Sequence, residues 1–335
     1  MKLAALLAAT LAVPGLGFAD RPDRDGRSDA AFIQDFGPNL LSTCPNPEGI
    51  AIDERGRVYA SSFSPAPAAP ICVLDRQGRI EDTLSVAAGP AGVAALLGEL
   101  FVSGEGLYVT DFADGAAPNG RLLLVDPRSG ATRTVAAGFA APNAIARDKH
   151  GRLYVSDSFL GTISRVNPDG SDPVTWSQDP RFTTQGQPPF GANGLAFDAD
   201  ERFLYVANTG DSAVLRVPVE RDGSAGTPEV FASGADLDAR SGATQSLHGA
   251  DGIAFDVGGN LWVCANQANE VQVLSPGGEL VARYRGSGAA ALDFPASLVF
   301  RGRRLFLTNL SLADGGVNSK LSELEAPLRG LPLVR

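Results

Sequence analysis

Long apolar runs, clustered basic residues and sulfur are what this 335-residue chain has least of. Past its first nineteen residues, no stretch approaches the roughly 20 apolar residues that a membrane helix needs, so membrane insertion is not expected. Lys and Arg number 28 against 38 Asp and Glu, for a formal net charge of −10. Binding to nucleic-acid phosphates draws on clustered Lys and Arg, so no nucleic-acid partner is expected and the acidity reads as solubility. There is one Met against 39 Gly and 23 Pro. That balance is poor for long helices and suits many short strands joined by tight turns. No Cys-x-x-Cys spacing occurs, so a thiolate zinc site is unsupported. The Gly-x-Ser-x-Gly elbow, the phosphate loop and the dinucleotide fingerprint are also missing, which argues against serine-hydrolase and nucleotide chemistry.

The first nineteen residues have a layout of their own. Met1-Lys2 is basic, Leu3 to Val13 is apolar, and Pro14 to Ala19 supplies a breaker and small residues. This is the layout of a secretory signal peptide, so residues 1–19 are expected to be removed and the protein to be periplasmic or secreted. In an oxidising compartment two of the three cysteines can bridge. Cys44 and Cys72 lie in less regular stretches and are the expected pair. Cys264 lies in Leu261-Trp262-Val263-Cys264 and reads as a small buried apolar residue.

A short pattern recurs six times: Val58-Tyr59-Ala60-Ser61-Ser62, Leu107-Tyr108-Val109-Thr110-Asp111, Leu153-Tyr154-Val155-Ser156-Asp157, Leu204-Tyr205-Val206-Ala207-Asn208, Leu261 to Asn266, and Leu305-Phe306-Leu307-Thr308-Asn309. Four copies follow a similar run that begins at Glu48, Asn143, Asn193 or Asp251 and ends in Asp or Arg-Asp before a polar turn. Strand, Gly-containing turn, strand is a hairpin signal. Third and fourth strand-like runs follow, and four antiparallel strands per repeat make a propeller blade. The spacing leaves room for a degenerate copy near Leu97 and a sixth near Ser297. The reading is all-β: one domain over residues 20–335, a six-bladed β-propeller of four-stranded antiparallel blades. Ala31 to Phe36 is strand-like and is expected to close the ring beside Lys320 to Leu324, since an open edge invites aggregation.

Glu48, Asn143, Asn193 and Asp251 each precede the apolar alternation of an inner strand. In a propeller such positions form a ring around the axis, so side chains far apart in sequence converge. Two carboxylates and two amides offer only oxygen, which suits a hard cation, Ca²⁺ ahead of Mg²⁺. The absence of His from the ring weakens the case for Zn²⁺. For any one of these positions alone, turn capping explains Asn or Asp equally well. All four in register, with Glu48 a poor turn residue, favour the metal.

These motifs resemble the gluconolactonase, regucalcin (senescence marker protein) and luciferin-regenerating-enzyme family of six-bladed propellers. Glu48 in Pro-Glu-Gly, Asn143 in Pro-Asn-Ala, Asn193 in Ala-Asn-Gly-Leu and Asp251 in Ala-Asp-Gly-Ile-Ala-Phe-Asp match the family's metal-binding glutamate, two asparagines and aspartate. The resemblance implies a divalent metal, Ca²⁺ first with Mg²⁺, Mn²⁺ or Zn²⁺ as alternatives. It makes Asp251 the base or nucleophile in opening a lactone. Sugar-lactone members carry Arg two residues before the first asparagine and Asp directly after it. Here those places hold Ala141 and Ala144, and Pro188, Pro189 and Phe190 add an apolar rim. His248, three residues before Asp251 in an inserted loop, is a candidate proton shuttle or a loop anchor. The expectation is an exported, metal-dependent lactonase acting as a monomer on a small molecule. The alternatives are a phosphotriesterase at the same metal and a non-catalytic binding module with a structural metal.

Overall fold

β-Branched and aromatic residues at every second position suit a pleated, buried surface, and each recurring pattern forms the second strand of a four-stranded antiparallel sheet. The computed structural model describes residues 32–87, 89, 92–113, 118–312 and 315–333. The signal peptide expected over residues 1–19 lies outside them. There are six such sheets, and they are called here blades 1 to 6. Their first strands are Pro47–Ile52, Leu97–Ser103, Pro142–Arg147, Ala192–Phe197, Ala250–Phe255 and Pro295–Arg301. Each first strand packs against the first strands of both neighbouring blades, blade 6 against blade 1 included, which closes a ring. Apolar clusters fill the gaps between successive blades.

Closure follows the expected route. Strand Gln34–Asp35 pairs antiparallel with Lys320–Glu325, Gln34 opposite Glu323 and Asp35 opposite Ser322. The N-terminal segment thus supplies the outermost strand of blade 6, over two residues of the stretch expected from 31 to 36. A disulfide joins Cys44 to Cys72, with Cα atoms 6.1 Å apart. It pins the segment that leaves blade 6 to the third strand of blade 1, Ala68–Leu74. Cys264 is buried and unbridged.

The residues of the repeat have distinct duties. The Asp at the end of an inner strand organises the outer turn. Asp53 takes the Arg57 N–H, the Arg57 side chain and the Tyr59 hydroxyl. Asp148 does the same with Arg152 and Tyr154, and Asp256 with Asn260 and Trp262. Hydroxyls in the second strand lace neighbouring blades together. Ser61, Thr110, Ser156 and Thr308 donate to the carbonyls of Gly98, Asn143, Asn193 and Glu48, each on the next blade round.

All six first strands carry an irregularity at the same place. Pairing with the second strand slips between Pro47 and Ile50, and likewise after Leu97, Pro142, Ala192, Ala250 and Pro295. A bulge re-aims side chains and is common beside active sites. The slip leaves two residues per blade unpaired: Glu48-Gly49, Gly98-Glu99, Asn143-Ala144, Asn193-Gly194, Asp251-Gly252 and Ala296-Ser297. The second is small in five blades because the strands crowd there. A Cβ on Gly194 would lie 2.2 Å from the Asp251 carbonyl, and one on Gly49 2.5 Å from the Gly98 carbonyl.

One stretch departs from expectation. Residues 236–248, read as loop, begin in the helix Gly234–Ser241, which ends at Gly242 with φ 70°. Alanine, leucine and arginine outweigh the polar residues locally, and glycine permits the left-handed stop.

Candidate active site at the propeller axis

The bulges bring Glu48, Asn143, Asn193 and Asp251 to the wall of one cavity of about 30 Å³. All four are buried. Blades 2 and 6 hold Gly98 and Ala296 at the equivalent position and contribute no donor. In blade 2 the reason is steric: a Cβ on Gly98 would meet the Phe112 ring at 2.6 Å.

A second ring of residues, the first after each second strand, sets how the donors face. These are Phe63, Phe112, Ser158, Thr209, Asn266 and Leu310. The Thr209 hydroxyl donates its single proton to the Ala250 carbonyl at 2.8 Å, so towards Asn193 it can only accept. Asn193 therefore turns its Nδ2 to Thr209, at 2.9 Å, and keeps Oδ1 free for the cavity. Ser158 repeats the arrangement, donating to Ala192 at 2.7 Å and accepting from Asn143 at 3.4 Å. Asn266 donates through Nδ2 to Asp251 Oδ2 at 2.8 Å. Blade 1 has Phe63 at this position, and there Glu48 Oε2 is buried with no hydrogen-bond partner.

The electrostatics of the cavity disfavour two ionised carboxylates. Burial, then the neighbouring Asp251 and Glu99 charges, push the Glu48 carboxyl well above the ordinary carboxylate range. Burial pushes Asp251 up to about 8, against the pull of the Asn266 and Asn193 amides. Like charges in a low-dielectric site cannot all ionise without a counter-charge. A buried orphan oxygen, two free amide oxygens and two mutually repelling carboxylates are the donor set that a Ca²⁺-type ion fits. Among the described residues no cluster of three or more His, Cys, Asp or Glu is arranged to hold a metal. The ring has only two such acids and takes its remaining oxygens from amides.

Glu99 went unrecognised in the sequence. It sits at the second bulge position of blade 2, where the other blades have Gly, Ala or Ser. Its carboxylate accepts the Leu100 and Ile50 N–H groups and the Ser297 hydroxyl, tying blades 1, 2 and 6 together. Burial raises its pKa to about 7. With Ser297 it lines a second cavity of about 180 Å³ further along the inner strands. The exchanged order Leu97-Gly98-Glu99-Leu100 was the available signal.

His248 is half-buried and does not line the cavity that holds Asp251. Burial lowers its pKa, partly offset by Asp238, and its Nδ1 has no hydrogen-bond partner among the described residues. His150 is exposed in its hairpin turn. The rim residues read from the sequence, Pro188 and Phe190, do line the cavity.

Comparison with known proteins agrees with the fold. Residues 174–311 match the model of the SMP-30/gluconolactonase/LRE-like region. The chain resembles the SMP-30, gluconolactonase and luciferin-regenerating-enzyme family. The matched SMP-30-like region contains Asn193, Thr209, Asp251 and Asn266. A curated relative, 6-deoxy-6-sulfogluconolactonase of Pseudomonas putida, is 29% identical over 121 residues, 35% of this chain and 38% of that protein. This chain thus matches well under two thirds of that relative's length. The fold is shared with a luciferin-regenerating enzyme, TM-score 0.67 at 16% identity, covering 91% of this chain and 99% of that one. It is shared also with a gluconolactonase of Xanthomonas campestris, TM-score 0.63 at 19% identity, covering 89% and 91%. Regucalcin of Agrobacterium tumefaciens, a calcium-binding protein, gives a TM-score of 0.60 at 19% identity, covering 91% and 97%. The resemblance read from the sequence expects an Arg where this chain has Ala141. It is fully buried in the apolar cluster around Phe63 and Phe112.

Proposed function

We propose that this chain is an exported hydrolase that opens a lactone, with a divalent cation, Ca²⁺ first, held by Glu48, Asn143, Asn193 and Asp251. The observation that carries the reading is Glu48 Oε2, buried and unpartnered in the cavity it shares with the other three. A bound cation would supply Lewis-acid polarisation of the ester carbonyl and a counter-charge for its developing oxyanion.

The chain's own residues do the rest. Asn266 holds Asp251 by Oδ2, which fixes the carboxylate while leaving its second oxygen to take a proton from water. The water oxygen bonds to the carbonyl carbon, and the ring C–O bond breaks. The proton held at Asp251 passes to the departing alkoxide, giving a hydroxy acid. Thr209 and Ser158 keep the two amide oxygens turned inward throughout. His248, which lies outside the lining of this cavity and whose unpartnered Nδ1 is buried, has no part in these steps. Export is supported by the basic and apolar start of the chain and by the Cys44–Cys72 bridge, which belongs to an oxidising compartment.

The test is a panel of lactones, esters and phosphotriesters, assayed with metal-replete protein, after chelation, and after Ca²⁺ is restored. Lactone turnover lost on chelation, recovered with Ca²⁺ and abolished in Asp251→Asn is the expected result. Turnover indifferent to metal removal contradicts the proposal.

A further inference from the structure

The second ring divides the cavity into two unlike halves. Blades 3, 4 and 5 present Ser158, Thr209 and Asn266: Thr209 and Asn266 line the cavity, Ser158 bonds Asn143 from outside its lining, the two hydroxyls donate to blade carbonyls and the Asn266 amide donates to Asp251. Blades 6, 1 and 2 present Leu310, Phe63 and Phe112, which have no polar side-chain atom. Phe63 and Phe112 pack edge to face, centroids 5.2 Å apart, in one apolar cluster with Leu310 and Phe190. Phe294 and Leu312 extend the same wall of the cavity. Among the described residues no Lys, Arg or His lines it.

A substrate has to satisfy both halves. Its reacting carbonyl belongs on the side of Asn143, Asn193 and Asp251. Whatever the ring carries then faces Phe63, Phe112 and Leu310. A hydroxyl there faces three side chains that offer it neither donor nor acceptor, and the unpartnered oxygen on that side, Glu48 Oε2, belongs to the proposed cation. A sulfonate or phosphate there meets no basic side chain and lies near two carboxylates. An alkyl or aryl group loses only its contact with water.

From this division we infer that the substrate is a small lactone carrying a short aliphatic or aryl substituent, not a polyhydroxylated or anionic one. The inference rests on the axial cavity being the lactone site. The cavity, about 30 Å³, has room only for the reacting end of such a lactone.

The experiment uses three five-membered lactones bearing n-propyl, dihydroxypropyl or sulfonatopropyl groups, and the three matching lactams, which resist hydrolysis. Lactam binding to the Ca²⁺-loaded protein is read by calorimetry, and lactone turnover as kcat/KM. Apolar pockets discriminate by roughly 10- to 200-fold per methylene, so the n-propyl compounds are expected to lead both series by at least about tenfold. Phe63→Ser and Leu310→Asn copy the polar half onto the apolar half. Each is expected to shrink the lactam preference by roughly tenfold, while Phe63→Leu keeps it. A dihydroxypropyl or sulfonatopropyl lactam bound as tightly as the n-propyl one overturns the substrate class, even with lactone turnover intact. Absence of turnover on all three lactones overturns the hydrolase reading beneath it. Should the serine and asparagine variants unfold, the wild-type rankings alone decide.

Discussion

Replacing Thr209 by valine keeps the side chain's shape and removes only its hydroxyl. Two hydrogen bonds go: the 2.9 Å bond from Asn193 Nδ2 and the 2.8 Å bond to the Ala250 carbonyl. Both partners are buried, so two polar groups lose a partner at roughly 1–3 kcal/mol each. Stability is therefore expected to fall by about 2–6 kcal/mol, read by urea denaturation. The sharper consequence is for the cation. Without the hydroxyl the Asn193 NH₂ loses the acceptor that holds it away from the cavity, and an inward NH₂ repels a cation. Supporting residues of this kind typically change metal affinity by about 10- to 100-fold, and Ca²⁺ titration calorimetry should show a loss in that range. Thr209→Ser restores the hydroxyl and should restore affinity. Ser158→Ala should cost less, since its bond to Asn143 is longer, 3.4 Å. Unchanged Ca²⁺ affinity in Thr209→Val, with the protein folded, refutes the orientation argument.

Glu48→Gln should abolish tight Ca²⁺ binding while leaving the cation-free protein as stable or more so, because a buried carboxyl with an unpartnered oxygen becomes a neutral amide; a large loss of cation-free stability in thermal melts speaks against this. The pH dependence has a definite sign. Asp251 and Glu99 are raised to about 8 and about 7 in the fold, so the folded cation-free protein holds protons that the unfolded chain releases. Their contribution is full below the ordinary carboxylate range and is lost as pH rises through about 7 to 8, so the cation-free melting temperature should fall from pH ~5 to ~9. Saturating Ca²⁺ should flatten that slope, and a cation-free melting temperature rising over the same window contradicts it. Reducing the Cys44–Cys72 bridge, which spans 28 residues, should cost about 3–4 kcal/mol in chemical denaturation; no change means that the closure segment does not depend on it. Deleting residues 20–37, which removes the outer strand of blade 6, should prevent stable folding, and an unchanged melt removes that strand from the closure.

The blades were legible because the Leu-Tyr-Val pattern obeys a strand period and recurs at a nearly even interval. The closing strand was legible because a ring leaves one edge that some segment must cover. The four axial donors stood out because Glu48, Asn143, Asn193 and Asp251 share one place in the repeat. What stayed hidden depends on contacts between blades. Glu99 sits one residue out of phase, since Phe112 leaves no room beside Gly98. Thr209 and Ser158 look like ordinary strand-end residues, and their role appears only once the Ala250 and Ala192 carbonyls of the next blade are in place. The split between Phe63, Phe112, Leu310 and Ser158, Thr209, Asn266 was present in the chain as well. It gained meaning only when the ring placed these residues around one axial cavity. The recurring Asp and Asn that end the second strand serve the backbone. Asp157, for one, takes the Ala140 and Ala141 N–H groups and shapes the loop that leads to Asn143.

The central claim is that side chains from four blades grip one cation at the axis. The most direct measurement is an anomalous difference map from crystals grown with a Ca²⁺-like lanthanide. The account predicts one strong peak per chain, about 2.3–2.6 Å from oxygens of Glu48, Asn143, Asn193 and Asp251, absent in Glu48→Gln. A saturated crystal with no peak there, or with its peak on other residues, contradicts the account.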